Sequence, residues 1–285
     1  MSTIAPLPAW TIRNHHFNWG ERTYLMGVLN VTPDSFSDGG LFSNVKAAIA
    51  HARSLIAAGA DILDIGGQST RPHAVEVSLE EELNRVLPII QAVRQETDTP
   101  ISIDTTRAAV AHAAIAAGAD IVNDISSATY DPEMLPTIAA LRVPLVLMHI
   151  RGTPQTMQQL TDYDDLIGDI YTFLQARLDA AIASGVERDR LVIDPGIGFA
   201  KTYAQNVEIL RRLPELRAIG CPLLVGASRK SFIGHLLNQP DPKKRVWGTA
   251  GACCAAIVGG ADLLRIHDVR ELKDVCRVAD AVFRL

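Results

Sequence analysis

From about residue 23 onward, short runs rich in Val, Ile and Leu recur along the chain, and most turn polar at their C-terminal end. The eight runs are YLMGVLN, DILDIGG, ISIDT, IVNDIS, PLVLMH, LVIDPG, PLLVGAS and DLLRIHD. Their near-continuous apolar character suits strands buried on both faces, as parallel strands with helical crossovers are. Between them lie helix-like stretches such as NVKAAIAHARSLIAAGA and RAAVAHAAIAAGA. Each reaches a Gly near its end, the residue that most easily takes the left-handed turn of a helix terminus. Eight such units predict a single (β/α)8 TIM barrel. An open doubly wound sheet uses fewer strands and often carries a GxGxxG turn, which the chain lacks. No low-complexity linker or compositional break interrupts the rhythm, so residues 23–285 read as one α/β barrel. Residues 1–22, with TIRNHHFNWGER, read as a short hairpin extension ahead of it.

Composition narrows the function classes. The 285 residues are 48% hydrophobic and 21% charged, ordinary for a globular protein with a large core. A formal charge of −5 gives no support for sequence-independent binding to nucleic acid or an anionic membrane. No apolar run is long enough to span a bilayer, and MSTIAPLPAW lacks the basic start and apolar stretch of a signal peptide. Cys221, Cys253, Cys254 and Cys276 show no CxxC or His spacing for a zinc site and read as small core residues. A cytoplasmic location is the expectation.

In such barrels the chemistry gathers at the C-terminal ends of the strands. Here nearly every strand end offers a polar residue: Asn30, Asp64, Asp104, Asn123, His149, Asp194, Ser228 with Lys230, and Arg265 with His267. An Asp before a helix is often only a cap, but capping does not explain a ring. Asp104, Asn123 and Asp194 supply acceptors and an amide, suited to a flat heterocycle with a guanidine-like edge, because one carboxylate can take two parallel N–H donors. Thr70, Arg71, Arg265 and His267, with Asn30, supply donors and a possible metal ligand, as a phosphate-bearing group requires. The polar stretch VTPDSFSDGG after the first barrel strand, taken alone, reads as a connector.

With MGVLNVTPDSFSDGG, DIGGQSTRP, ISIDTTR, IVNDISS, LVLMHIRGTPQTMQ, LVIDPGIGFAKT, GASRKSFIG and LLRIHDV in this order, the chain resembles the dihydropteroate synthases of folate biosynthesis from roughly Leu25 to Asp268. The resemblance implies condensation of 6-hydroxymethyl-7,8-dihydropterin diphosphate with 4-aminobenzoate, a requirement for Mg²⁺, sulfonamide inhibition and a homodimer built on late barrel helices. It implies a pterin held by Asp104, Asn123 and Asp194, with Met148 against the ring and Lys230 at its carbonyl edge. It places Asn30, Thr70, Arg71, Arg265 and His267 at the diphosphate, Asn30 through the metal. Phe199, Ser228 and two early loops would enclose the aminobenzoate. VTPDSFSDGG becomes a closing lid, with Asp34 and Phe36 as its active members. Asp34, Arg71, Asp104 and Lys230 form the catalytic set. The chain departs from the common family pattern at Gln68, where Glu is frequent, and at Ala200, where Gly is common.

Other readings are a pterin-dependent methyltransferase, a Schiff-base aldolase using Lys230, and a pterin-binding paralogue without catalysis. The anion-binding set SRK, RIHD, NVTPDSF and STRP speaks against the first, and Arg229 beside Lys230 against the second. Intact Asp34, Arg71, Lys230, Arg265 and His267 speak against the third. His15, His16, His51 and His112 read as surface or helix-face residues. His149 is left open between wall residue and support.

Overall fold

The computed structural model describes residues 7–31, 41–72 and 74–284. The early loop with Asp34 and Phe36 lies outside the described residues. A hairpin of β1 (Trp10–Ile12) and β2 (His15–Phe17) precedes β3 (Tyr24–Asn30), the first barrel strand. The remaining strands are β4 (Ile62–Gly66), β5 (Ile101–Asp104), β6 (Ile121–Asp124), β7 (Leu145–Met148), β8 (Leu191–Asp194), β9 (Leu224–Val225) and β10 (Leu263–Ile266). Each strand from β3 to β7 pairs in parallel with the next, and β10 pairs with both β9 and β3. A parallel bridge from Ile193 to Leu223 joins β8 to the start of the β9 segment and closes the barrel.

The crossover helices are α1 (Leu41–Ala58), α2 (Leu79–Arg94), α3 (Ala108–Ala116), α4 (Met134–Leu141), α5 (Leu166–Ala183) and α6 (Tyr203–Leu216). The crossover between β9 and β10 holds two, α7 (Ser231–Leu236) and α8 (Val246–Val258), and α9 (Val269–Phe283) follows β10. Gly59 (φ +104°) and Gly118 (φ +116°) adopt left-handed backbone just beyond α1 and α3, as their sequence positions predict. The helix expected from RAAVAHAAIAAGA begins at Ala108, whose N–H donates to the Asp131 carboxylate at 2.8 Å, one residue after Arg107.

Alternation along the strands divides the core. Leu63, Ile65, Ile101, Ile103, Leu145, Leu147, Leu191, Ile193, Leu264 and Ile266 face the helices in one large cluster. The alternate residues Met26, Ile62, Ile121, Val146, Val192, Leu224 and Leu263 form a second cluster inside the barrel. Trp10, Phe17 and Trp19 of the hairpin region join this inner cluster with Tyr24, so aromatic rings pack under the barrel at its N-terminal end. With that end filled by apolar side chains, the opposite mouth is where ligands can enter. No described helix is long and apolar enough to cross a membrane.

Candidate active site

Two residues beyond the apolar inner layer, the same inward parity brings up a different layer: Asp64 on β4, Asp104 on β5, Asn123 on β6, Met148 on β7, Asp194 on β8 and Arg265 on β10. A period of two sends residues i and i+2 to the same face, so Ile62 and Asp64, Ile121 and Asn123, Val192 and Asp194, and Leu263 and Arg265 stack in pairs. Asp64, Asp104, Asn123 and Asp194 are all buried. Neighbouring register sets Asp104 beside Asn123 and Met148 beside Asp194.

Arg265 crosses this layer. Its Nε donates to Asp64 Oδ2 at 2.6 Å and its Nη2 to Asp104 Oδ2 at 2.8 Å, and the Asn123 amide lies 3.4 Å from Asp64. Burial pushes the Asp104 carboxyl up, Arg265 opposes this, and the nearby Asp64 adds to it. Burial also works against the Arg265 charge, but Asp64 and Asp104 hold it above the ordinary arginine value. Asp194 accepts from the Gly196 N–H at 2.7 Å. Burial pushes it to about 6, while that bond and the charges of Lys230, Lys201 and Arg265 oppose the rise. On the acceptor side of the mouth Asp104 and Asp194 are therefore carboxylates with raised proton affinity, ready for a ligand that brings its own N–H donors.

The opposite side is cationic. The Ser228 hydroxyl lies 3.0 Å from His267 Nδ1 and accepts from the His267 backbone N–H at 3.1 Å. Burial first, then Arg265, Arg229, Lys230 and Arg71, pushes the His267 imidazole down to about 3. The cations around this neutral imidazole set up a positive potential that favours an anion at the mouth. Arg229, at φ +60°, is turned away to Asp268 with its Nε 2.9 Å from the carboxylate. That leaves Lys230 aimed at the mouth, its Nζ 4.2 Å from the centre of the Phe199 ring. Burial and Arg265 lower the Lys230 ammonium to about 8, while Asp194 and Asp104 oppose the shift.

The β8–α6 loop is shaped by close approaches. Gly196 sits at φ +70°, and a Cβ there would lie 2.0 Å from the His149 carbonyl oxygen. Gly196→Ala combines a backbone clash with left-handed strain, so it is expected to lower stability by about 3 kcal/mol or more. Thermal unfolding checks this, and an unchanged midpoint would contradict the loop geometry. Ala200, one of the two family departures, stands at φ +51° with its methyl buried, which explains why Gly suits the position. The strain of about 1 kcal/mol is offset by a buried methyl packed with Met148, Ile150 and Phe199.

The structure thus brings together Asp104, Asn123, Met148, Asp194, Phe199, Ser228, Lys230, Arg265 and His267. Asn30 ends β3, half-buried, next to Gly66 on β4. Thr70 and Arg71 stand at the rim; Thr70 lines a cleft with Gln68, Glu82, Asp104 and Tyr130, and Arg71 is exposed. Arg265 does not belong to the anion side alone, since its guanidinium ties two carboxylates of the acceptor layer.

Sequence reading missed three supports. Asp124 accepts from Ser126 N–H and Oγ (both 2.7 Å) and from Ala128 N–H (2.8 Å), fixing the turn after Asn123. Buried Glu82 joins Thr105 (2.7 Å) and Arg107 (2.8 Å) behind Asp104. Lys201 meets His149, which settles His149 as a support. The DxS spacing in NDISS was an available signal for the first; the other two join residues distant in sequence.

A pterin binding enzyme family model matches residues 26–267. The dihydropteroate synthase of Synechocystis sp. is 61% identical over 268 residues, covering 94% of this chain and 93% of that protein. Among solved structures, a Xanthomonas albilineans dihydropteroate synthase with 4-aminobenzoic acid superposes with a TM-score of 0.91 at 44% identity, over 98% of this chain and 99% of that one. The same enzyme in complex with 7,8-dihydropteroate gives 0.87 at 42% identity, over 98% and 100% of the two chains. On this agreement of barrel, mouth and sequence, the chain belongs to the dihydropteroate synthases of the pterin-binding enzyme family.

Proposed function

We propose that the chain condenses 6-hydroxymethyl-7,8-dihydropterin diphosphate with 4-aminobenzoate, releasing diphosphate and 7,8-dihydropteroate, with diphosphate departure preceding attack by the amine. The observation that carries this reading is the division of one mouth into a buried acceptor layer, Asp104, Asn123 and Asp194, and a cationic side of Lys230, Arg265 and Arg71 around His267. It is supported by Xanthomonas albilineans structures holding 4-aminobenzoic acid and 7,8-dihydropteroate.

The acceptor layer takes the pterin's N–H edge, Met148 packs against its face, and Lys230 reaches the ring carbonyl and the adjoining phosphates. Arg71, Thr70 and His267 meet the diphosphate, and Phe199 with Ser228 bounds the aminobenzoate. As the diphosphate leaves, positive charge develops over the conjugated ring. A buried carboxylate such as Asp104 stabilises that charge more than the neutral ground state. The aminobenzoate nitrogen then captures the carbon, and so weakly basic an amine needs no strong general base. Asp34 and Phe36 complete the enclosure in this reading.

Among the described residues no three acidic, His or Cys side chains converge on a metal. The donor offered at the end of β3 is the single amide oxygen of Asn30. That donor set fits Mg²⁺, which prefers oxygen ligands, keeps several waters and is held largely through substrate phosphates. When bound, the ion neutralises charge on the departing diphosphate.

Arg71→Ala tests the division of the mouth. A lost charge-assisted contact of roughly 1.5–3 kcal/mol should weaken Mg²⁺–pyrophosphate binding at least tenfold, while 6-hydroxymethylpterin affinity, read by calorimetry, stays within about twofold. Equal loss of both ligands would argue against two separate halves.

The protein acts as a homodimer through α7, α8 and α9 in the cytoplasm. Exposed Leu236, Trp247, Val258, Val278 and Val282 stand on these helices, and a Cβ at Gly251 would meet open space, leaving room for a second backbone. All four cysteines are free, in keeping with a reducing compartment. Trp247→Glu with Val278→Glu should convert a dimer to a monomer by light scattering; an unchanged mass would remove these helices from the interface.

A further inference from the structure

The mouth contains a buried cation that the reaction does not use. Lys201 is 2% exposed, and its Nζ lies 2.9 Å from His149 Nδ1 and 2.8 Å from the Phe199 carbonyl oxygen. Among the described residues no carboxylate forms an ion pair with it. Its hydrogen-bond partners are neutral, because burial and the charges of Lys201 and Arg151 push the His149 imidazole down to about 2. Burying an ammonium against neutral partners is costly, so packing alone gives no reason to keep it.

The loop supplies a reason. From Asp194 the chain turns through Gly196 (φ +70°), Gly198 (φ +83°) and Ala200 (φ +51°), which brings Lys201 back to His149. The backbone N–H of that same His149 donates to the Asp194 carbonyl at 3.0 Å. A Cβ on Gly196, whose N–H holds Asp194 Oδ1, would lie 3.4 Å from Lys201 Nζ. A contact ion pair with Lys201 would take up the remaining oxygen of Asp194, the acceptor a ligand needs.

We propose that Lys201 is a positioning residue: its ammonium, anchored on His149 and Phe199, is a counter-charge held at a distance that keeps Asp194 ionised while leaving the carboxylate's free oxygen to the pterin. This rests on the reading of Asp194 as a pterin acceptor. The other charged groups facing Asp194 are Lys230 beyond β9 and Arg265 on β10, the latter already engaged by Asp64 and Asp104; Arg151 beyond β7 faces Lys201. Burial lowers the Lys201 ammonium to about 7, with Asp194 opposing the fall. The pair is therefore doubly charged between Asp194's midpoint near 6 and that value.

Lys201→Met removes the charge and keeps the bulk. Carbon-13 NMR of labelled aspartate carboxyls, with the Asp194 signal assigned by its loss in Asp194→Asn, should show the Asp194 midpoint rising by about one pH unit. For 6-hydroxymethylpterin the same shift should weaken binding about fivefold near pH 6 but less than about twofold near pH 7.5. An unchanged Asp194 midpoint would overturn the proposal, as would equal weakening at both pH values, the sign of a loop that has lost its packing. A raised midpoint with unaltered pterin affinity would overturn the pterin reading of Asp194 and the positioning role with it. Should the variant not fold, nitrogen-15 NMR of Lys201 Nζ in the unaltered protein decides: an ammonium near pH 6 supports the proposal, and a neutral amine there overturns it.

Discussion

Arg265→Met is expected to lower stability by about 3–5 kcal/mol near neutral pH, a large effect for one side chain. The substitution removes the partner of two buried carboxylates, Asp64 at 2.6 Å and Asp104 at 2.8 Å, and leaves both where water cannot solvate them well. The pH dependence gives a second signature. Burial already raises the proton affinity of the Asp104 carboxyl and Arg265 opposes this, so without Arg265 it rises further above that of an unfolded carboxyl. A group whose folded pKa is raised stabilises below its unfolded value and loses that contribution as pH rises. The deficit of Arg265→Met relative to the unaltered protein should therefore be greatest near pH 7–8 and shrink toward pH 5. Denaturant unfolding across that range measures it. A deficit independent of pH would mean that lost packing, rather than unpaired charge, is responsible.

Asp194→Asn should do the opposite to stability while abolishing tight ligand binding. Burial holds the Asp194 carboxyl at about 6 against an ordinary 3.8, so its ionised form is a stability cost in the ligand-free protein near pH 7, of the order of 2–3 kcal/mol. Asparagine keeps an acceptor for the Gly196 N–H and carries no charge. Its other end, however, presents a donor to the pterin's donors, leaving buried N–H groups unpaired at about 3 kcal/mol, or more than a hundredfold in Kd. The variant should unfold no earlier than the parent near pH 7.5 and bind 6-hydroxymethylpterin very weakly. Unaltered affinity in a folded variant would remove Asp194 from the pocket. A stabilised but inactive protein is the expected result where function retains a costly buried charge.

How much of this was legible in the sequence follows from the range of each interaction. All eight strand runs correspond to strands of the barrel because near-continuous apolar character is local information. The hairpin was likewise visible in TIRNHHFNWGER. PLLVGAS yields only a two-residue strand, because the chain turns at Ala227, whose carbonyl accepts from the Lys230 N–H. That early turn is what swings Lys230 over Phe199. Strand ends announced Asp104, Asn123 and Asp194 for the same local reason. The bridge from Arg265 to Asp64 and Asp104 was not legible as a contact, since it joins residues 201 and 161 positions apart and exists only once the barrel closes. Lys201 was hidden differently. In GFAKT it looks like a solvated lysine, and only the left-handed turns at Gly196, Gly198 and Ala200 carry it under the loop.

The central claim is that the acceptor layer and the cationic side of one barrel mouth together drive a single condensation. Mixing the protein with 6-hydroxymethyl-7,8-dihydropterin diphosphate, 4-aminobenzoate and Mg²⁺, and following both products by chromatography, tests it most directly. The account predicts 7,8-dihydropteroate and diphosphate in equal amounts, formed over many turnovers and lost in Asp194→Asn. Pterin bound tightly with no dihydropteroate formed, or dihydropteroate formed equally well by Asp194→Asn, would contradict it.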